Sequence, residues 1–335
     1  MLRFTLRRLC VAVPMLLLIS LIVFILLDAA PGDPMSQVPL TVSPEVRALM
    51  RDALGLGEPG YIRFGLWLKQ MFWIEPQVLV DAIFGTALAD DHLRILSWQT
   101  RAPVMDMVAE RLPQTLWVVG SAYLVGIALA LPIGIIAAYR QASVFDGAST
   151  LTTMVAYSVP PFVTGPLVIA VFAVGLGWVP SIYDTTHRVT DWESFTVQLR
   201  QMILPVTVLA VQTTAQISRY MRASMIDTLP LDYIRTARAK GMPEHVVVLR
   251  HALRNSMIPV VTVIALGAPA MFGGAIITEQ VFAINGIGAQ LISALQAGDL
   301  PTVQTLTFLF AVLIVLANLI ADILYGLLDP RIRYD

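Results

Sequence analysis

The chain has 335 residues, 57% hydrophobic and 13% charged, with a mean hydropathy of +0.74. Soluble domains carry about 25% charged residues, so half that share cannot coat a water-exposed globule and much of the surface must meet hydrocarbon. The formal net charge of -1 gives no footprint for nucleic acid and no acidic tail, and the single cysteine, Cys10, excludes an intrachain disulfide and any multi-cysteine metal cage.

A bilayer core about 30 Å thick takes roughly 20 apolar residues of helix. In chain order the charge-free runs that qualify are 9–27, 115–139, 147–183, 202–218, 255–278 and 300–321. The first follows Arg3, Arg7 and Arg8 and ends at Asp28 and Pro31-Gly32. A signal peptide shares the basic start, but its apolar core is shorter and ends in small residues. The third run is long enough for one helix and an adjoining re-entrant or loop segment. Six transmembrane helices are expected.

Basic residues orient the bundle. With the N-terminus inside, the cytoplasmic segments receive Arg3, Arg7, Arg8, Arg140, Arg219, Arg222, Arg235, Arg238, Lys240, Arg250, Arg254, Arg331 and Arg333, against Arg188 and Arg200 in the short outer loops. The region 28–114 is too long to orient anything and forms an outer-face cap, whose aromatics Tyr61, Phe64, Trp67, Phe72 and Trp73 either pack a small core or line the interface.

A P-loop needs lysine directly after glycine, but Lys69 follows Leu68 and Lys240 follows Ala239. Any ATP chemistry therefore belongs to another subunit. His92, His187, His245 and His251 fall in loops, and no H-E-x-x-H motif occurs. No catalytic or metal-ligating set is read here. Within the spans, Gln212, Gln216, Asn318 and Asp322 either line a pathway or hydrogen-bond between helices. Pro160 is a further pathway candidate, because helices that bend around a gate carry such breakers.

The loop between the fourth and fifth spans carries the most information. A short helix is predicted from Pro230–Asp232 to Gly241, since glycine suits the left-handed position after a helix and Pro243 cannot continue it. At about ten residues it is too short to stand alone in water. Leu231, Ile234 and Ala237 or Arg238 share one face, which implies a partner surface. Val246, Val247, Leu249, Leu253 and Met257 then recur at helical spacing and lead into the fifth span. Such a helix, turn and helix would carry a push on the short helix into the membrane. The same basic loop would equally serve to bind lipid headgroups.

The run Asp232-Tyr-Ile-Arg-Thr-Ala-Arg-Ala-Lys-Gly241, followed by Leu249-Arg-His-Ala-Leu-Arg-Asn-Ser-Met-Ile-Pro259, resembles the coupling loop of permease subunits in binding-protein-dependent ABC importers, within the dipeptide/oligopeptide/nickel branch. Ala30-Pro-Gly-Asp-Pro34, Glu110-Arg-Leu-Pro-Gln-Thr115, Ser158-Val-Pro160, Glu279-Gln-Val-Phe282 with Gly286-Ile-Gly288, and Leu328-Asp-Pro-Arg331 agree with that branch. The wider superfamily places E-A-A, three residues, G, nine residues and I-x-L-P in this loop. Here Ala237, Gly241 and Leu253 match, while Arg235 and Thr236 take the first two positions and His251 and Arg254 those of I and P, a departure usual for the peptide branch. The stretch 89–99 looks like an insertion.

The resemblance implies an all-α integral membrane protein of six transmembrane helices with the type I importer (MetI-like) fold, plus an extra N-terminal helix and a long outer-face region. The layout it suggests is an N-terminal helix and outer region at 1–111, a transmembrane core at 112–328 with the coupling loop at 223–256, and a cytoplasmic tail at 329–335. The expected partners are a second homologous permease, two cytoplasmic ATP-binding subunits that hold ATP and Mg2+, an external substrate-binding protein and the lipid bilayer of a bacterial or archaeal plasma membrane. Leu231, Asp232, Tyr233, Ile234, Arg235, Ala237, Arg238, Lys240 and Gly241 would meet the ATPases, with Ala237 small enough to seat closely in their groove. Peptides, opines, glutathione and nickel chelates all fit such a permease. The alternative is a stand-alone channel or ion-coupled carrier, which would place paired charges at the midplane and show inverted repeats.

Overall fold

The computed structural model describes residues 2–29, 43, 45, 57–89 and 92–328. The expected tail at 329–335 and the motif at 30–34 lie outside the described residues. Regular structure among those described is helical, apart from one antiparallel bridge between Leu96 and Pro103. The helices are α1 (Leu2–Asp28), α2 (Gly60–Lys69), α3 (Glu75–Phe84), α4 (Val104–Thr115), α5 (Ser121–Tyr139), α6 (Val144–Ser158), α7 (Pro161–Val168), α8 (Trp192–Thr228), α9 (Asp232–Ala239), α10 (Glu244–Val246), α11 (Leu253–Val281), α12 (Ile287–Gln296) and α13 (Leu300–Leu328). Wider π-helical turns at Gln70–Ile74, Leu116–Gly120 and Val247–Ala252 join α2 to α3, α4 to α5 and α10 to α11.

Among the described residues five stretches are long and apolar enough to cross a membrane: Cys10–Asp28, Val104–Tyr139, Trp192–Thr228, Glu244–Gly273 and Leu300–Ile320. The pair Val144–Ser158 and Pro161–Gly175 is long and apolar enough only when taken together and bends by 104°, the geometry of a broken span or a re-entrant segment. The expected third helix is thus a broken one. Val159, forced away from helical geometry by the proline that follows, sits at φ -92, ψ 117, and Pro160 at φ -66, ψ 152. The fourth span is much longer than its charge-free run. A capping box between Asp191 and Ser194 starts α8 well before residue 202, and its 37 residues reach roughly 55 Å, far beyond the hydrocarbon thickness.

The chain divides into two compact units that do not follow chain order. One comprises Met1–Cys10, Gln114–Ala289 and Leu313–Asp335, and the other Val11–Pro113 with Gln290–Val312.

In the first unit α8 is the spine on which α5, α6 and α11 pack. Lipid tails are as apolar as leucine, so helices in a bilayer gain little by hiding hydrophobic surface and associate through close packing instead. α5 is built for that. Ala122, Gly126, Ala130, Gly134 and Ala138 recur every fourth residue and are all buried, which gives a smooth stripe. A β-carbon on Gly134 would stand 2.6 Å from Met221 Cβ and 2.7 Å from the Ser218 carbonyl oxygen. Two buried apolar clusters close the unit around this seam, one with Val118, Met202, Leu209 and Phe282, the other with Ala138, Met221, Met225 and Val260. At α1, Arg8 pairs with Asp322 of α13 at 3.3 Å, so Asp322 holds two helices together.

In the second unit Phe24, Phe64 and Trp67 form successive ring contacts, and Trp67 and Phe72 each meet Phe308 edge-on at 5.5 Å. Tyr61 and Trp73 remain exposed, so the aromatics of this region divide between core and surface. The stretch read as an insertion is tied down by charge. Arg94 reaches Glu75 at 2.9 Å and Asp106 at 2.8 Å. Burial pulls its guanidinium down, and the hydrogen bonds to Asp106 and Glu75 more than offset that, leaving the pKa raised. Ser97 and the Trp98 amide donate to the buried carboxylate of Asp299, which also receives the Thr302 hydroxyl and amide and so caps α13.

The α5 stripe makes a direct prediction. Gly134→Val should cost about 1–3 kcal/mol through overpacking against backbone, seen as a lower melting temperature and loss of monodispersity in detergent, whereas valine at the open position Gly147 should leave both unchanged.

Candidate functional site

The short helix α9 begins where Leu231, in extended geometry, offers its carbonyl to the amides of Ile234 at 3.0 Å and Arg235 at 3.1 Å. It ends in a full left-handed cap. Gly241 sits at φ +71, its amide bonds the Arg238 carbonyl at 2.9 Å and the Met242 amide reaches the Ala237 carbonyl at 3.4 Å. Glycine adopts that angle without cost and a side chain does not. Across the turn Arg238 pairs with Glu244 at 2.7 Å, and this hydrogen bond raises the guanidinium pKa above its usual value against a smaller pull from burial. Tyr233 accepts a 2.7 Å hydrogen bond from the Asn255 amide, tying α9 to the start of α11.

The structure corrects the direction in which α9 faces. Ile234, at 0% exposure, and Ala237, at 5%, point into the chain's own core among Met221, Met225, Val247, Val248 and Ala252. The apolar face read as a seat for a partner is occupied from within. What α9 and its ends leave outward includes Leu231, Asp232, Tyr233, Arg235, Arg238 and Lys240. Asp232 and Arg235 pair at 3.2 Å in the open, a contact worth little by itself.

Beside the break between α6 and α7 the first unit holds a cavity of about 210 Å³, lined in part by Tyr123, Tyr157, Gln212, Thr213, Gln216 and Met271. Gln212 donates to the Val159 carbonyl at 3.3 Å and so compensates one of the backbone groups that the break frees. Pro160 makes the break without lining the cavity. Asn318 lies exposed on α13 and takes no part in the lining. Of the five pathway candidates, then, two glutamines come together at a cavity, the proline shapes its neighbourhood, and Asn318 and the Arg8-paired Asp322 lie outside the lining.

Several functional elements escape a sequence reading. Tyr157 and Tyr123 are unremarked aromatics in apolar runs, yet both face the cavity. Arg222 and the buried Asp146 form a pair at 2.6 Å that fixes the start of α6 on α8; the Ser143 cap three residues before Asp146 was its one local sign. The Glu279 and Gly286 motifs prove to be a lock. Glu279, 1% exposed, accepts from the Thr115 hydroxyl at 2.7 Å and the Ala289 amide at 2.8 Å, and Thr115 in turn receives the Ile287 amide. A β-carbon on Gly286 would collide with that carboxylate.

A multi-pass bundle of this kind, with a basic helix rigidly mounted between two of its spans and a polar-lined cavity beside a broken helix, has the form of a transport permease. Residues 130–334 match the family described as binding-protein-dependent transport system inner membrane component, and residues 1–119 match the N-terminal membrane component of the same systems, so the chain belongs to this family. The oligopeptide transport system permease protein AppB of Bacillus subtilis (strain 168) is 35% identical over 335 residues, covering 99% of both chains. The glutathione transport system permease protein GsiC of Escherichia coli (strain K12) is 36% identical over 338 residues, covering 100% of both. An inward-facing structure of the MetNI methionine ABC transporter shares the fold, with a TM-score of 0.54 at 17% identity over 67% of this chain and 97% of that one. The protein is a permease subunit of a binding-protein-dependent ABC importer, a non-catalytic multi-pass subunit of the inner membrane that works with ATPase and binding-protein partners.

The buried seat of α9 is testable. Ile234→Ala should cost about 2–5 kcal/mol of local packing and loosen α9, so that trypsin cleaves after the already exposed Arg235, Arg238 and Lys240 faster than in the unsubstituted protein in membranes; equal cleavage rates would contradict the seat.

Proposed function

We propose that this permease imports peptides or a peptide-like solute such as glutathione, forming half of the translocation pathway beside a second, homologous permease. Its two named relatives, an oligopeptide and a glutathione permease, support that substrate class. Two cytoplasmic ATPases, holding ATP and Mg2+, engage the outward side of α9, and an external binding protein delivers the solute to the opposite face. Both termini and α9 lie in the cytoplasm, in keeping with the excess of arginine and lysine in those segments. The observation that carries the reading is the mounting of α9. Buried Ile234, the Tyr233–Asn255 hydrogen bond and the glycine cap hold it to α8 and α11, so a displacement imposed by the ATPases moves the spans instead of melting a loop. Gln212 and Gln216 line the pathway where α6 breaks at Pro160.

Gly241→Val, which forces a β-branched residue into left-handed geometry at a cost of about 1–2 kcal/mol or more, should cut uptake by roughly tenfold while membrane levels stay unchanged. Arg235→Glu combined with Lys240→Glu should reduce co-purification of the ATPases from detergent. Normal uptake and normal subunit stoichiometry in these variants would remove the coupling role of α9, and transport by the purified chain alone would remove the importer reading.

A further inference from the structure

The polar groups of the cavity beside the helix break can be sorted by what they already bind. The Tyr123 hydroxyl donates to the Ile264 carbonyl, and the Thr213 hydroxyl donates to the Leu209 carbonyl at 3.2 Å. The Gln212 amide nitrogen is engaged by Val159, which leaves its carbonyl oxygen as an acceptor. Among the described residues, the Gln216 amide and the Tyr157 hydroxyl make no hydrogen bond, although both line the cavity. Gln216 is half-buried and Tyr157 exposed, so both groups are open to a polar visitor in the cavity. The remaining wall is apolar, with Leu209, Ile217, Val263, Ala270 and Met271, and no charged side chain lines it. The nearby guanidinium of Arg219 lies over the Tyr157 ring at 4.7 Å and steadies that ring.

An amide that both donates and accepts, in a neutral pocket, suits another amide better than an ion. Spacing narrows the choice. Gln212 and Gln216 stand one turn apart on α8, about 6 Å along the axis, and same-side amides of an extended peptide recur about every 6.8 Å. A cavity of about 210 Å³ that opens on one side has room for a short piece of main chain.

We infer that this cavity reads the main chain of the passing solute, with Gln216, the Gln212 carbonyl and the Tyr157 hydroxyl hydrogen-bonding backbone amides of an extended peptide, the two glutamines meeting amides on its same side. The assignment rests on the peptide-import reading and gives that reading a chemical basis: contacts to the repeating amide are blind to side chains, so one pathway accepts peptides of many sequences.

The test uses the complete importer, with its partner permease, ATPases and binding protein, in proteoliposomes. Uptake of a tripeptide is compared with that of its analogue in which the amide between the second and third residues is an ester, which lacks the N–H donor. The unsubstituted importer should favour the amide. Gln216→Leu should lower kcat/KM for the tripeptide about fivefold, the worth of one hydrogen bond, and shrink the preference over the ester, with the binding protein held the same in both arms. As a second readout, Gln216→Cys in a Cys10→Ser background should be alkylated by a chloroacetyl tripeptide only when ATP and binding protein are present. An unchanged amide-to-ester ratio in Gln216→Leu, or no alkylation at position 216 while that variant still imports peptide, would overturn the inference and leave peptide import standing. An unsubstituted importer that takes up no peptide would instead remove the peptide reading itself.

Discussion

The close approach of α5 to α8 is the constraint on which the rest of the larger unit depends. Hydrocarbon gives two helices no hydrophobic reason to associate, so the contact has to be made by fit. The alanine and glycine stripe from Ala122 to Ala138 supplies it by removing side chains from one whole face. Backbone then meets backbone, as the Ser218 carbonyl beside Gly134 shows. With one face of α8 fixed in this way, its other residues acquire definite addresses. Gln212 and Gln216 are held at the cavity, Arg222 at Asp146, and Met221 and Met225 in the cluster that receives α9.

That last cluster explains how so short a helix acts as a rigid part. An isolated helix of 8 residues is unstable in water because nucleation consumes most of what its few hydrogen bonds return. α9 escapes this by giving Ile234 and Ala237 to the core of its own chain and by closing its end with Gly241. Its exposed residues, among them Asp232, Tyr233, Arg235 and Lys240, lie on the outward side, where the proposed ATPase contact would need them. A helix of this length whose apolar face had been left uncovered would have been loose.

Much of this was legible in the sequence because its causes are local. Charge-free runs locate spans, and Gly241 with Pro243 ends α9 wherever that helix happens to lie. Direction was not legible. The stripe Leu231, Ile234 and Ala237 announces an apolar face, but periodicity is the same whether that face meets a partner or residues 221–252 of its own chain. Asn318 and Gln216 read alike as polar residues in apolar runs, and only the rotation of each helix separates an exposed side chain from one lining a cavity. The break at Val159–Pro160 was within reach, since two consecutive prolines forbid a continuous helix. Its angle was set by contacts with α8 and α11 that no local rule contains.

The buried acids reveal a further regularity. Asp146 lies in the first turn of α6 and accepts the Ala142 amide as well as Arg222, Glu279 receives the Ala289 amide at the start of α12, and Asp299 caps α13. Each carboxylate stands at a helix beginning, where amides lack partners within the helix and the dipole favours negative charge. These charges, like that of Glu75 in its pair with Arg94, are therefore consumed by architecture, which is why the four buried acids among the described residues need not mark an ion path. Gln216 and Tyr157 differ in kind: neutral, facing a cavity and without a hydrogen-bond partner among the described residues, they lie where the architecture makes no demand on them. For a solute that must enter and leave on every cycle, neutral groups of this sort are the better design, because a charged contact strong enough to repay its own desolvation would also slow release.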